Sequence, residues 1–403
     1  MPDIATLRQR ALGAHAQGDL ASAQALYRII LAVTPDDADA AHYLGASYIG
    51  QGQAETALIS MARSVRLQPD HAVFRFNYAL GLRMLNREAE AKEHLVVATA
   101  RDPSLREAQY HLALLLLADH DYPAAVQALE QARGLTDVAD ICEENLRYVQ
   151  VFHTGELAHL RPGAWTDPPL ISVVIPCVNY GQFVVEAVNS CLAQTYPNIE
   201  VIVVEGGSTD GTTRAVVAAL SHPRVRTLFR SPKRTVGDNR NFGVGVARGT
   251  FICCLDADDM LAPDYIEKAV FCLCDLGYDV AGSGVRTFGS MDARRNFLRD
   301  PGLRDFLRTN QLSTAAVFRR TVWERAGGFF DYDRANGFVH EDWNFWVRVS
   351  AMGARIMNIN WEHLIRYRQH HFERLTGKST ILPLDQQVAM IRANNADVLP
   401  PSC

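Results

Sequence analysis

Pro35, Pro69 and Pro103 stand 34 residues apart, and so do Ala23, Ala57, Ala91 and Ala125. The same offset joins Tyr27, Met61, Leu95 and Leu129, and aligns Leu44 with Tyr78 and Leu112, and Gly45 with Ala79 and Ala113. A fixed period of this length marks a unit that cannot bury its apolar face alone and stacks on copies of itself. Within each unit the small residues let two antiparallel helices approach closely and the large ones fill the space between them. The proline ends the pair, because it has no backbone N–H and its ring clashes with the preceding turn. The period dictates an all-α solenoid of four helix pairs over residues 4–137, ending where Asp137 replaces the next proline.

In period and residue type this segment resembles the tetratricopeptide repeat. The resemblance implies a module that binds or scaffolds and does no chemistry, with the first helix of each pair lining a concave face. Phe76, Leu80, Tyr110, Leu114 and Leu117 fall at the inward positions. They make an apolar groove for a peptide, for the rest of the chain, or for a second subunit in a homo-oligomer. The expected organisation is a repeat domain over 1–145 and a linker over 146–169, where Arg161-Pro162-Gly163 and Asp167-Pro168-Pro169 break all periodicity. A further domain over 170–380 and a tail over 381–403 with one short helix near 385–393 complete it.

Composition excludes several classes. The net charge of −5 comes without a basic block, which argues against nucleic acid as a partner. No stretch approaches the ~18 apolar residues of a membrane span. Met1-Pro2-Asp3-Ile4 opens no apolar run, so no signal peptide is expected. The eight cysteines lack C-x-x-C spacing; Cys253, Cys254, Cys272 and Cys274 lie in apolar runs and read as buried free thiols of a cytoplasmic protein.

From Leu170 the pattern changes to short β-rich runs alternating with helical segments: strands at 171–177, 199–204, 224–229 and 251–255, helices at 183–194, 212–220 and 237–247. Repeated βα units imply a mostly parallel sheet, with ligands at the carboxyl ends of its strands. The last of these strands runs into Asp256-Ala257-Asp258-Asp259. Carboxylates clustered at a sheet edge are hard oxygen ligands for Mg2+ or Mn2+, although the same four residues also suit a plain polar turn.

Several ordered motifs carry a second resemblance. Ile171-Ser172-Val173-Val174-Ile175-Pro176-Cys177-Val178-Asn179-Tyr180, Gln194-Thr195-Tyr196-Pro197-Asn198 and Val204-Glu205-Gly206-Gly207-Ser208-Thr209-Asp210-Gly211 are similar to the opening motifs of family 2 glycosyltransferases of GT-A fold. Arg240-Asn241 ahead of Asp256, and Gly327-Gly328-Phe329 followed by Glu341-Asp342-Trp343, continue the match over about residues 170–375. The resemblance implies an α/β GT-A domain that transfers a sugar from a nucleotide diphosphate, a UDP-sugar favoured, with inversion.

It also implies roles. Asp258 and Asp256 hold Mn2+ or Mg2+, joined by a histidine of Tyr367-Arg368-Gln369-His370-His371, where His370 fits the offset better than His371 or else is a surface polar residue. Asp342, with Glu341 beside it, is the catalytic base, or else the pair only starts a helix. Pro176, Asn179, Glu205, Arg240 and Asp256 face the nucleotide sugar; Arg240 either pairs with the diphosphate or caps a helix. Asp259 suits a helix N-cap or a supporting group. Glu205 carries one methylene more than the family's usual aspartate, and Val178 replaces its usual tyrosine. Asp256, Asp258 and Asp342 are all present, which argues against a decayed transferase kept as a scaffold. The repeats suggest a polypeptide acceptor, with a surface-polysaccharide glycan as the alternative.

Overall fold

The computed structural model describes residues 3–331, 340–370 and 382–400. The chain divides into two compact units, residues 1–156 and 157–403.

The first unit is a series of helical hairpins. They pair α1 (Ile4–Ala16) with α2 (Leu20–Val33), α3 (Ala38–Ile49) with α4 (Ala54–Leu67), α5 (Ala72–Met84) with α6 (Glu88–Arg101), and α7 (Arg106–Ala118) with α8 (Tyr122–Ala132). The leading helices start at residues 4, 38, 72 and 106 and their partners at 20, 54, 88 and 122, so the sequence period of 34 is the structural period. Asp3, Asp19, Asp37 and Asp121 cap helix starts by accepting main-chain N–H bonds. Ala23, Ala57, Ala91 and Ala125 are fully buried. A Cβ on Gly45 would lie 2.5 Å from Met61 Cγ, so α3 and α4 meet closely only because that position is bare.

Phe76, Leu80, Tyr110 and Leu114 are half-buried. Leu117 is not part of a groove: it is fully buried with Leu115 and Leu116, because α7 packs against both α6 and α8. The helical run also continues past Asp137. α9 (Ala139–Val149) lies on α8 and buries Cys142, Leu146 and Val149, then passes into a π-helical turn at Gln150–Thr154. The first part of the segment read as linker is therefore a terminal helix, of the kind that covers the open end of a solenoid.

In the second unit β1 (Ile171–Cys177), α10 (Gly181–Leu192), β2 (Ile199–Glu205), α11 (Thr213–Ala218), β3 (Val225–Phe229), α12 (Val236–Val246) and β4 (Phe251–Cys254) alternate. They are followed by β5 (Met260–Leu261), α13 (Tyr265–Cys274), β6 (Val280–Ser283), β7 (Val285–Gly289), β8 (Arg294–Arg295), α14 (Leu303–Phe306), β9 (Val317–Arg319), α15 (Arg320–Ala326), α16 (Glu341–Ala351), β10 (Ile356–Ile359), β11 (Ile365–Gln369) and α17 (Leu384–Asn394).

The main sheet runs β10-β6-β9-β4-β1-β2-β3, with β9 antiparallel to both neighbours and the other pairs parallel. β1, β2, β4, β6 and β10 are buried along their whole length, as in a parallel sheet covered on both faces. β2 and β3 extend the sheet on one side of β1 and β4 on the other. The crevice at the carboxyl ends of β1 and β4 is thus a topological switch point, where open α/β sheets bind ligands. A smaller sheet, β5-β11-β7-β8, begins with β5, directly after the Asp256–Asp259 turn.

Trp343, Phe345 and Trp346 of α16 pack with Phe318, Phe329 and Ile391, so α17 joins this core. The cysteines of the described residues are free thiols; all are buried except Cys274, which sits exposed at the end of α13 where a buried thiol was expected. Among the described residues no helix is long and apolar enough to cross a membrane.

Candidate active site

After β4 the chain turns at Asp256–Asp259, closed by the Asp259 N–H donating to the Asp256 carbonyl at 3.1 Å. Asp258 Oδ2 lies 2.9 Å from Nε2 of His370, the residue after β11. Burial, then the neighbouring Asp256 charge, push the Asp258 carboxyl above its usual range, and His370 opposes them. Asp259 is buried, and burial together with both neighbouring aspartates raises its carboxyl well above normal. It caps no helix, because β5 follows it. Instead its Oδ1 accepts the Arg368 main-chain N–H at 2.9 Å, which ties the turn to β11. The Arg368 guanidinium lies between the rings of Phe183 and Phe288, 4.6 and 4.4 Å from their centroids, and donates to the Asp258 carbonyl at 2.9 Å.

Three crowded carboxylates, two of them pushed towards protonation, make a place where a cation relieves repulsion. Among the described residues no cluster of three His, Cys, Asp or Glu side chains forms a protein-only metal site. Mg2+ bound for phosphate chemistry commonly takes one or two carboxylates and leaves its other positions to substrate phosphates and water, and imidazole suits Mn2+. The Asp258–His370 pair fits a cation of that kind. His371 lies outside the described residues.

Arg240 of α12 is 2% exposed. It forms an ion pair with Asp256 at 2.6 Å and another with Glu341. The guanidinium is therefore a crossbar between the β4 turn and the first turn of α16. Burial disfavours its charge, and the two carboxylates more than restore it. On the other side of the pair, burial raises Glu341 to about 7, with Arg240 pulling down and Asp342 pushing up. Arg240 is thus committed to two carboxylates rather than open to a diphosphate. Removing it leaves facing carboxylates without a counter-charge. Arg240→Gln is expected to lose about 3–5 kcal/mol of folding stability, the usual cost of breaking a buried pair, which urea titration would measure. The adjacent Asn241 locks the loop before α16: its Oδ1 accepts from Phe329 N at 2.8 Å and Trp323 Nε1 at 2.9 Å, and its Nδ2 donates to Phe329 O at 2.7 Å. The Arg240-Asn241 and Gly327-Gly328-Phe329 motifs thus meet in space.

Glu341 and Asp342 do open α16, but Asp342 is also held from elsewhere. Its Oδ2 accepts from Asn310 Nδ2 at 3.0 Å and from Thr314 Oγ1 at 3.3 Å. Among the described residues no donor reaches Oδ1, so one oxygen is fixed and the other is free to accept a hydrogen bond. Neither Asn310 nor Thr314 was singled out in the sequence; only the polar run Asn310-Gln311-Leu312-Ser313-Thr314 ahead of β9 hints at them. If they orient Asp342, Thr314→Val should lower kcat about tenfold, the scale of one hydrogen bond to a charged group, and leave donor KM unchanged. Thr314→Ser should restore it in the same steady-state assay.

The residues expected at the nucleotide lie in β1, β2 and the loops that follow them. Pro176 is buried in β1 in register with Val204. Asn179 adopts φ +63, an uncommon conformation for a residue with a side chain, and its Oδ1 accepts from Thr209 N at 2.8 Å. Glu205 lies in register with Cys177 and is fully buried. Its Oε1 accepts from Gly207 and Ser208 amides at 3.1 and 2.6 Å, and its Oε2 pairs with Arg214 at 2.9 Å. A buried carboxylate needs such a full set of donors. Glu205 therefore holds the loop after β2 and has no oxygen facing open space. Gly206 has no room for a side chain, because its Cβ would stand 2.0 Å from Asn239 Nδ2.

The family model described as glycosyl transferase family 2 matches residues 172–335. This stretch is a family 2 glycosyltransferase domain. The match takes in Pro176, Asn179, Glu205, Arg240, Asp256 and Asp258, while Asp342 and His370 lie beyond it. Relatives of the transferase domain include the succinoglycan biosynthesis protein ExoO of Rhizobium meliloti (strain 1021), 33% identical over 173 residues, which are 43% of this chain and 49% of that protein. Chondroitin synthase of Escherichia coli is 30% identical over 193 residues, 46% of this chain and 27% of the relative. The chain thus spans half or less of the length of these two relatives. Among solved structures, S. aureus TarS in complex with UDP-GlcNAc is 18% identical with a TM-score of 0.46, over 57% of this chain and 73% of that one.

Proposed function

We propose that the transferase domain moves a sugar from a nucleoside diphosphate, UDP favoured, to a hydroxyl of a saccharide acceptor, with inversion and with Mn2+ or Mg2+ bound. The observation that carries this reading is the run Asp256–Arg240–Glu341, which ties the Asp258–His370 pair to Asp342 across the switch point of the sheet. Asp258 and His370 hold the cation, which when bound neutralises charge on the departing diphosphate. Pro176 and Asn179 shape the nucleotide side, and Glu205 keeps its loop in place. Asp342 accepts the proton of the acceptor hydroxyl as that oxygen bonds to the anomeric carbon. The bond to the diphosphate breaks on the opposite face, its electron pair leaves with the nucleoside diphosphate, and the configuration inverts. Arg240 and Glu341 set the position of the two halves relative to each other.

Names of the relatives, a succinoglycan biosynthesis protein and a chondroitin synthase, support a saccharide acceptor over a polypeptide. The repeats then serve assembly. Proton NMR of the product of a UDP-sugar and saccharide screen tests the reading: an anomeric configuration opposite to the donor's supports it, and a retained one defeats it.

A further inference from the structure

The smaller sheet carries an unusual row. In register, Arg366 of β11 lies opposite Arg286 of β7, and Arg286 lies opposite Arg294 of β8. Register partners share a face, and adjacent strands are about 4.8 Å apart, so three guanidinium stems leave one face within roughly 10 Å. All three are exposed. Like charges directly opposite one another weaken a sheet. Compensation is incomplete: Asp292 makes a two-pronged pair with Arg286, at 2.8 and 2.6 Å. Its carboxyl is held below the usual range by Arg286 first and, at longer range, by Arg294 and Arg366. Among the described residues the Arg294 and Arg366 side chains have no hydrogen bond or ion pair of their own. Three arginines thus share one carboxylate, on a chain whose net charge is −5.

The row is joined to the site along β11. Along β11 the next residue on the same face is Arg368, which stacks on Phe288, its register partner, and holds the Asp258 carbonyl. His370 follows just past the strand, about 13 Å from Arg366 at the usual strand rise. On β8 the next residue, Arg295, leaves the opposite face, and its Nη2 donates to the Asn310 carbonyl at 3.1 Å. Asn310 in turn holds Asp342. A ligand lying on the row therefore reaches along β11 towards the Asp258–His370 pair.

We propose that the row Arg286–Arg294–Arg366 is an acceptor subsite that binds an anionic glycan through carboxylate or phosphate groups. The inference rests on Asp342 being the residue that activates the acceptor. A local positive strip on an acidic chain concentrates anionic ligands from solution, and the attraction falls as salt screens it. Docking to an anionic membrane would use the same charges, but it would not require the strip to run along β11 into the site.

The test is equilibrium binding to the full chain, read by fluorescence anisotropy, with three labelled hexasaccharides: one bearing uronate carboxylates, one bearing phosphodiesters, one neutral. Wild type should bind at least one anionic probe about tenfold more tightly than the neutral one, and lose the difference on going from ~0.05 to ~0.5 M salt. Arg294→Gln with Arg366→Gln should abolish the preference while UDP binding with Mn2+ is unchanged, which also certifies the fold. Whichever anionic probe is preferred identifies carboxylate or phosphate as the group. Equal binding of all probes by wild type, or an unaltered preference in the double variant, overturns the proposal. So does a variant that loses binding to phosphatidylglycerol vesicles and keeps its oligosaccharide binding. Because no turnover is measured, an inactive Asp342→Asn protein that still prefers the anionic probe separates failure of the base assignment from failure of this subsite.

Discussion

Asp258→Asn is expected to remove metal-dependent binding of UDP and to lower sugar transfer by at least ~100-fold, the scale of losing one preorganised charge-stabilising group. The amide keeps the shape and one acceptor oxygen but gives up the charge that draws a cation. The fold should survive, because Asp258 is partly exposed and its contact with His370 is an edge contact that no core residue depends on. Relieving one of three crowded carboxylates even favours the folded chain, since burial and Asp256 raise the Asp258 carboxyl and its ionised form is disfavoured. Calorimetry with UDP and Mn2+ decides it: unchanged heats in the variant would remove Asp258 from the metal site.

Asp342→Asn should separate binding from chemistry. Turnover should fall at least ~100-fold, as for loss of a positioned general base, while UDP binding with Mn2+ stays near wild type. The amide can still accept from Asn310 and Thr314 through its oxygen, so the loop before β9 keeps its anchor. A variant that turns over acceptor at the wild-type rate would leave Asp342 as no more than the second residue of α16.

Much of this architecture was legible because it is periodic or local. The helix starts follow the offsets of proline and alanine, since each hairpin repeats the same packing within itself and against the next. The β1, β2 and β4 strands follow their apolar runs, because a strand buried on both faces needs no alternation. The Asp256–Asp259 turn was visible as a break in such a run. What stayed hidden depends on contacts between distant segments. Asn310 and Thr314 reach Asp342 across 32 and 28 residues, and Arg368 meets Asp258 across 110. No local spacing encodes them.

Residues of the right type were also given the wrong surroundings by sequence alone. Glu205 has the chemistry to read a base, yet nearby Gly207, Ser208 and Arg214 take both of its oxygens. Arg240 has the chemistry to bind a diphosphate, yet Asp256 and Glu341 enclose it. Leu117 sits at an inward position of its repeat, yet neighbours on both sides bury it.

In the proposed reaction this site cleaves the bond between a sugar and a nucleoside diphosphate with help from a divalent cation. The most direct measurement is release of nucleoside diphosphate from a panel of nucleotide sugars incubated with the full chain and Mn2+. Release is expected from at least one donor, stopped by EDTA, restored by excess Mn2+ or Mg2+, and absent in Asp258→Asn. Release that continues at the same rate in EDTA, or no release from any donor with or without saccharide acceptors, would contradict it.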